Sequence, residues 1–216
     1  MNMHSAVLPL AVLAGLACGM QAGDIRAAGD RPVVGGVERL EREATATYDN
    51  DTRPLAPEAD IFFQDLLETS DRARLAVTLE DGTRITLGEN ASLRVDRFVY
   101  EPAGDSAGMG LSVLEGAFVF VGGHAERQED SEVEIETSVG TLGVRGTIVW
   151  GGPIDGSTGF LVVDGNVTVR NEAGEVSLGP GEGTMVEGRD VAPSQPKQWP
   201  REKVRRSLEK VSFSED

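Results

Sequence analysis

From Val34 to Glu187 hydrophobic and polar side chains alternate with a period of two, the spacing of strands with one face in a core and the other in water. Leu75, Val77 and Leu79 share a face while Arg74, Thr78 and Glu80 turn outward. Ile85 and Leu87 alternate with Arg84 and Thr86, Leu93 and Val95 with Arg94 and Asp96, and Val133 and Ile135 with Glu132, Glu134 and Glu136. Val167 and Val169 continue the pattern against Thr168 and Arg170. Two segments, 117–121 (AFVFV) and 160–163 (FLVV), are apolar throughout, which predicts strands covered on both faces. Three apolar runs end in an acid followed by glycine, at Asp81-Gly82, Glu115-Gly116 and Asp164-Gly165. Glycine there supplies the positive φ of a tight hairpin, and the acid can bond nearby backbone. These turns fall 34 and then 49 residues apart, too uneven for a strict solenoid. The expected fold is all-β: many short strands in an irregular β-roll, solenoid-like or sandwich-like.

Two segments depart from alternation. Residues 55–70 (LAPEADIFFQDLLETS) read as a short helix or an irregular strand, with Phe62, Phe63, Leu66 and Leu67 docking on the sheet. After Val191, prolines 193, 196 and 200 predict an exposed linker, and 201–212 (REKVRRSLEKVS) a short basic amphipathic helix with Val204, Leu208 and Val211 on one side. That helix is expected to dock on its own domain or to bind a partner.

The N-terminal residues 5–17 (SAVLPLAVLAGLA) form an apolar run of signal-peptide length, too short for a stable span, with cleavage expected after Gly19 or Ala22. Its leading region carries no Lys or Arg, a departure from the usual signal pattern. Cys18, the one cysteine, raises lipidation, although Gly15 stands where a lipobox takes leucine. No later apolar stretch approaches span length, so no membrane span is expected once the signal is removed. The expected organisation is a signal peptide over 1–22, a linker over 23–33, a β domain over 34–190, and a Pro-rich linker with helix over 191–216. The compartment is then the periplasm or the exterior.

The 216 residues suffice for one domain with terminal extras, and 27 glycines fit a chain of tight turns. A formal charge of −16 disfavours nucleic acid and anionic membrane surfaces as partners.

The segments 73–102, 111–123 (LSVLEGAFVFVGG), 133–150 (VEIETSVGTLGVRGTIVW) and 160–169 (FLVVDGNVTV) follow one another in an order that resembles the FecR-type periplasmic domain. Its motif is matched by Asp81, Gly82, Thr83, Leu87, Gly88, Gly116, Ala117, Thr137, Gly143, Arg145, Gly146, Thr147 and Gly165. Ser138 stands where the family has proline. The resemblance covers roughly residues 34–190 and implies an exported all-β module. The best-known members hold a sigma factor through a cytoplasmic segment and sense an outer-membrane receptor. Without that segment and a membrane helix in view, only the module and its compartment are expected to carry over.

Sites of chemistry are sparse. His124 follows Gly122-Gly123 in a loop, and no G-x-S-x-G turn supplies a nucleophile for it. Histidine and cysteine are too few for the common zinc sets. Glu132, Glu134 and Glu136, spaced about 7 Å along a strand, read as a solvated face, or else as a ladder for calcium or a basic partner. The glycines of 140–147 match no phosphate loop and suit a bulge or a close backbone approach. Arg145, a cation within an apolar strand, is expected to pair with an acid or to face a partner's carboxylate. No catalytic, cofactor or metal residues are expected. The function so read is an exported, non-enzymatic binding or sensing module for a protein or envelope component. The alternatives are a structural, self-associating envelope protein and, remotely, a carboxylate-based hydrolase.

Overall fold

The computed structural model describes residues 31–99, 108–127 and 131–214. The apolar run, Cys18, both cleavage positions and most of the linker before β1 lie outside them.

Sixteen strands join one sheet. Before the first matched motif come β1 (Val33–Glu41), β2 (Ala44–Tyr48), β3 (Asp51–Pro54), β4 (Asp60–Phe62) and β5 (Leu66–Thr69). The middle holds β6 (Arg74–Leu79), β7 (Arg84–Leu87), β8 (Ser92–Val99), β9 (Gly108–Glu115), β10 (Phe118–Val121) and β11 (Glu132–Thr137). Two long strands follow, β12 (Gly140–Ile154) and β13 (Ser157–Asn171), then β14 (Gly174–Leu178), β15 (Glu182–Val186) and β16 (Lys197–Gln198), and a helix α1 (Arg201–Glu209) closes the chain. The segment over 55–70 is therefore strand rather than helix. Its Leu67 and Ile61 are buried, while Phe62, Phe63 and Leu66 are half-buried.

The order β3-β2-β5-β8-β9-β11-β12-β10-β7-β6-β1-β4 runs through β12, whose first half pairs β11 and whose second half pairs β10. β13 accompanies β12 along nearly its whole length and passes the sheet on to β14 at one end and β15 at the other. The long β12–β13 hairpin is thus shared by two arms of one curled sheet, and all described pairings are antiparallel except β9 with β11.

The alternation read from sequence becomes the core. Leu75, Val77, Leu79, Ile85, Leu87, Leu93, Val95, Val133, Ile135, Val167 and Val169 all enter one buried cluster that takes side chains from both arms. Each such side chain contributes about 1.5–3 kcal/mol of transfer free energy.

The two wholly apolar segments are covered on both faces over most of their length, but Val163, at the end of 160–163, stays exposed. Phe118, Phe120, Phe160 and Val162 face the main core. Ala117, Trp150, Ile154, Leu161 and Val211 form a second cluster on the other face, joined by Val119, Met185, Trp199, Val204 and Leu208. α1 is the lid of this second layer. It buries Ser207, the residues just after it bury Val211, and its cations Lys203 and Arg206 reach Asp155 in the β12–β13 turn at 3.0 and 2.9 Å. The chain beyond α1 returns to β1, where Ser214 donates its hydroxyl and amide to Glu41 at 2.7 and 3.1 Å.

Candidate interaction site

The motif residues divide into two structural knots and the turns around a cleft. The first knot is Asp81-Gly82-Thr83. Gly82 has φ of 82°, the left-handed value that a side chain disfavours. The Asp81 carboxylate, 1 % exposed, accepts from Thr83 N at 3.0 Å, Thr83 Oγ1 at 2.7 Å and Ala125 N at 3.2 Å. Thr83 Oγ1 in turn accepts from Gly123 N at 3.1 Å. A buried carboxylate is tolerable only when donors replace water, and here they do. His124 is exposed, and its Nδ1 lies 2.7 Å from the Asp81 carbonyl.

The second knot bends the long hairpin where one arm passes into the other. The register of β12 against β13 shifts between Arg145 and Val149, a bulge with Gly146 at φ 61°. Thr147 Oγ1 accepts from Arg145 N at 2.9 Å and donates to the Asn166 carbonyl at 3.0 Å, while Thr147 N donates to Glu126 at 3.0 Å. Gly165, at φ 82°, lies so close that a Cβ would stand 2.2 Å from the Gly146 carbonyl oxygen. Gly143 lies on the exposed face with open space where its Cβ would be, and nothing in the structure explains its motif position.

Arg145 corrects one expectation. Its side chain is exposed at the bulge rather than held in the apolar strand, and it makes no ion pair among the described residues. The bulge turns it outward, so it does not fix the local fold through an acid.

The glutamate ladder is paired within the chain. Glu132 meets Arg97 at 3.1 Å, Glu134 meets Arg170 at 3.6 Å, and Glu136 meets Arg189 at 3.1 Å. Three flanking segments thus each supply one cation to alternate positions of β11. No group of three or more metal-binding side chains occurs among the described residues.

The remaining motif positions converge on one end of the sheet. Thr137 Oγ1 donates to the Gly140 carbonyl at 2.7 Å and closes the β11–β12 hairpin. Gly88 admits the end of α1: a Cβ there would be 2.5 Å from the Lys210 carbonyl oxygen. Gly116, φ 82°, lets the β9–β10 turn lie against Ala91, and Gly152 lets β12 lie against Ala117. Between these turns opens a cleft of 540 Å³. Its lining includes Glu89, Glu115, Ser138 and Lys210, together with Val113, Phe118 and Phe160, whose side chains are almost wholly buried in the core. Lys210 also borders an adjoining cleft of 500 Å³ along the β12–β13 turn, beside Glu187, and Pro153 and Thr158 line both. Neither Lys210, Glu115 nor Glu187 makes an ion pair among the described residues.

Sequence reasoning missed this site because its parts come from four separated turns and a helix end. The acid–glycine turn at Glu115-Gly116 and the motif glycines were its visible traces. Of the perturbed groups, Asp155 lines the adjoining cleft and Glu41 lines neither. Arg206 and then Lys203 hold the Asp155 carboxyl below the usual range, and the Ser214 hydroxyl and amide do the same for Glu41. The arrangement offers a hollow of mixed polar and apolar lining, hydroxyls and charges of both signs: a place to bind.

A family model described as FecR protein matches residues 65–168, which contain both knots and the four turns around the cleft. No curated protein matches the chain in sequence. Among solved structures, a candidate anti-sigma factor from Parabacteroides distasonis, crystallised at 1.65 Å resolution, aligns with TM-score 0.51 and 21 % identity over 66 % of this chain. A second crystal structure of such a factor from the same organism, at 2.50 Å, gives the same TM-score and identity. The chain spans 64 % of the length of the first and 63 % of the second. At that identity the likeness is one of fold. The ordered motifs, the knots they tie and the family match agree that residues 65–168 are similar to the FecR protein family.

Proposed function

We propose that this protein is an exported, non-catalytic binding and sensing module of the cell envelope, and that it engages a protein or envelope component through the cleft between its turns. The cleft carries the reading: a hollow of 540 Å³ with a mixed polar and apolar lining drawn from several turns is the form that binding sites take on a rigid β scaffold. The likeness to the FecR protein family, and the assignment of its structural neighbours as candidate anti-sigma factors, support a regulatory rather than a metabolic role. The carboxylates that would suggest hydrolysis are committed elsewhere, Glu132, Glu134 and Glu136 to arginines and Asp81 to backbone and hydroxyl donors. The apolar run at 5–17 supports export.

The test is photo-crosslinking in living cells, with the crosslinking residue at Ser138, which lines the cleft, and, in a second strain, at Tyr48, the exposed last residue of β2. A discrete envelope adduct from Ser138 and none from Tyr48 is expected. Adducts only to cytoplasmic proteins would sink export, and a stable homo-oligomer of the purified chain without a partner would favour self-association.

A further inference from the structure

The chain from Arg201 to Ser214 closes the second apolar layer with an imperfect fit. Val204 and Leu208 are only half-buried there. The residue that α1 itself buries completely is Ser207, and its hydroxyl donates back to the Lys203 carbonyl of the same helix at 2.9 Å. In the same layer Trp150 is wholly buried, and its indole N–H has no acceptor among the described residues. A buried donor left in this way costs free energy for as long as the layer stays covered. Pro200 stands at the N-cap of α1, so no side chain caps the first amides of the helix. The ties that hold the stretch down are polar and lie toward its two ends. Asp155, 40 % exposed, takes Lys203 and Arg206, while Glu41 takes Ser214 and the Arg39 guanidinium lies 4.5 Å from the centre of the Phe213 ring. Exposed ties of this kind contribute little each. The strand beneath is held differently, since β12 is paired on both sides, by β13 and by β10 or β11.

We infer that residues 201–214 form a displaceable strap, which lifts while the sheet stays folded, uncovers Trp150 and draws Lys210 away from the cleft. The hinge is Pro200, because the Trp199 N–H before it donates to the Gly181 carbonyl at 3.2 Å and so stays with the sheet. Lys210 lines both clefts, and its carbonyl oxygen stands 2.5 Å from where a Cβ on Gly88 would be, so closing the strap brings backbone against backbone at the edge of the cleft. Parts of a fold that move in regulation come from its least stable elements, and this stretch has the marks of one. Its consequence for binding rests on the role proposed above: the closed strap restricts the cleft, and the lifted strap widens it.

Hydrogen exchange on the full chain, read by mass spectrometry, tests the strap. A nine-residue helix does not persist alone in water, so lifting exposes all its amides together. In wild type the amides of 203–212 should share one exchange rate, about a hundredfold or more above that of β12 and β13. Asp155→Asn combined with Glu41→Gln unties both ends and should raise that rate about tenfold, with β12 and β13 unchanged. Ser207→Ala should lower it about threefold, because alanine favours the helix and leaves no hydroxyl to bury. Exchange of 203–212 at the pace of β12 and β13 would overturn the inference, since the strap would then open only with the whole fold. Rates graded inward from Ser214 and indifferent to Asp155 would also overturn it, as the mark of a fraying end. The Ser138 crosslinker placed in the untied variant reads the cleft, and its adduct yield should rise several-fold. An adduct of unchanged yield would remove the gating and leave the binding role standing. No adduct in either background, with exchange as expected, would remove the binding role and leave the strap.

Discussion

Thr147 has its N–H and both functions of its hydroxyl engaged inside the bend of the long hairpin, and Gly165 has no room for a methyl group beside Gly146. Side chains so placed determine stability out of proportion to their size. Thr147→Val keeps the shape and leaves the Arg145 amide and the Asn166 carbonyl without their partner, for an expected loss of about 2 kcal/mol. Gly165→Ala adds left-handed strain to a clash with backbone and should cost about 2–4 kcal/mol. Arg145→Ala, next to both in space, should change stability by no more than about 0.5 kcal/mol, because the arginine faces water. Urea denaturation of the three variants checks the order. A large loss for Arg145→Ala would mean that its side chain holds the bend after all.

At the scale of elements, α1 is secured to the tip of the β12–β13 hairpin by charge and to the second apolar layer by Val211 and Leu208. Asp155 has its native pKa lowered by Arg206 and Lys203, so its contribution is complete above the ordinary aspartate range, about pH 4, and disappears as pH falls through the lowered native value. The stability difference between wild type and Asp155→Asn should therefore be present at neutral pH and vanish in acid, as read by thermal melts at several pH values. A difference that grows toward low pH would reverse the assignment. Ending the chain at Trp199 should uncover Trp150 and Leu161 and raise the binding of an apolar dye. The need for such a cover was legible in the sequence, since AFVFV and FLVV leave no polar face for water, and so was the amphipathic helix. That the one covers the other was not legible, because about eighty residues from AFVFV, about forty from FLVV, and a proline-rich stretch separate them. The strands over 60–69 were equally hidden. Their Phe62-Phe63 and Leu66-Leu67 pairs fit either period, and the choice is made by pairing to β1, β2 and β8, which a short window does not contain.

The whole molecule raises the question of what closes a curled sheet whose end strands do not pair with each other. β3 and β4 stand at the two ends of the strand order, and a sheet left so would gape or offer its edges to other chains. Asp65 sits between them, 1 % exposed. It accepts from Arg31 at 2.8 Å, from Arg53 of β3 and from the Phe62 amide of β4 at 3.0 Å. Arg53 also donates to the Asp60 carbonyl at 2.9 Å, and the Arg31 guanidinium lies 3.8 Å from the centre of the Tyr48 ring. The seam is thus ionic rather than made by a backbone ladder, and one buried carboxylate joins both ends. Asp65→Ala should leave Arg31 and Arg53 facing each other across a hollow, at an expected cost of about 3–5 kcal/mol, the usual result of removing one member of a buried pair. The loss has a location. Amide exchange should quicken first in β3 and β4 while the β12–β13 hairpin, which the two arms share, stays protected. Uniform quickening would mean that the sheet opens only by unfolding as a whole. Unchanged exchange in β3 and β4 would show that the hydrophobic core alone holds the curl, and that the ionic seam merely decorates it.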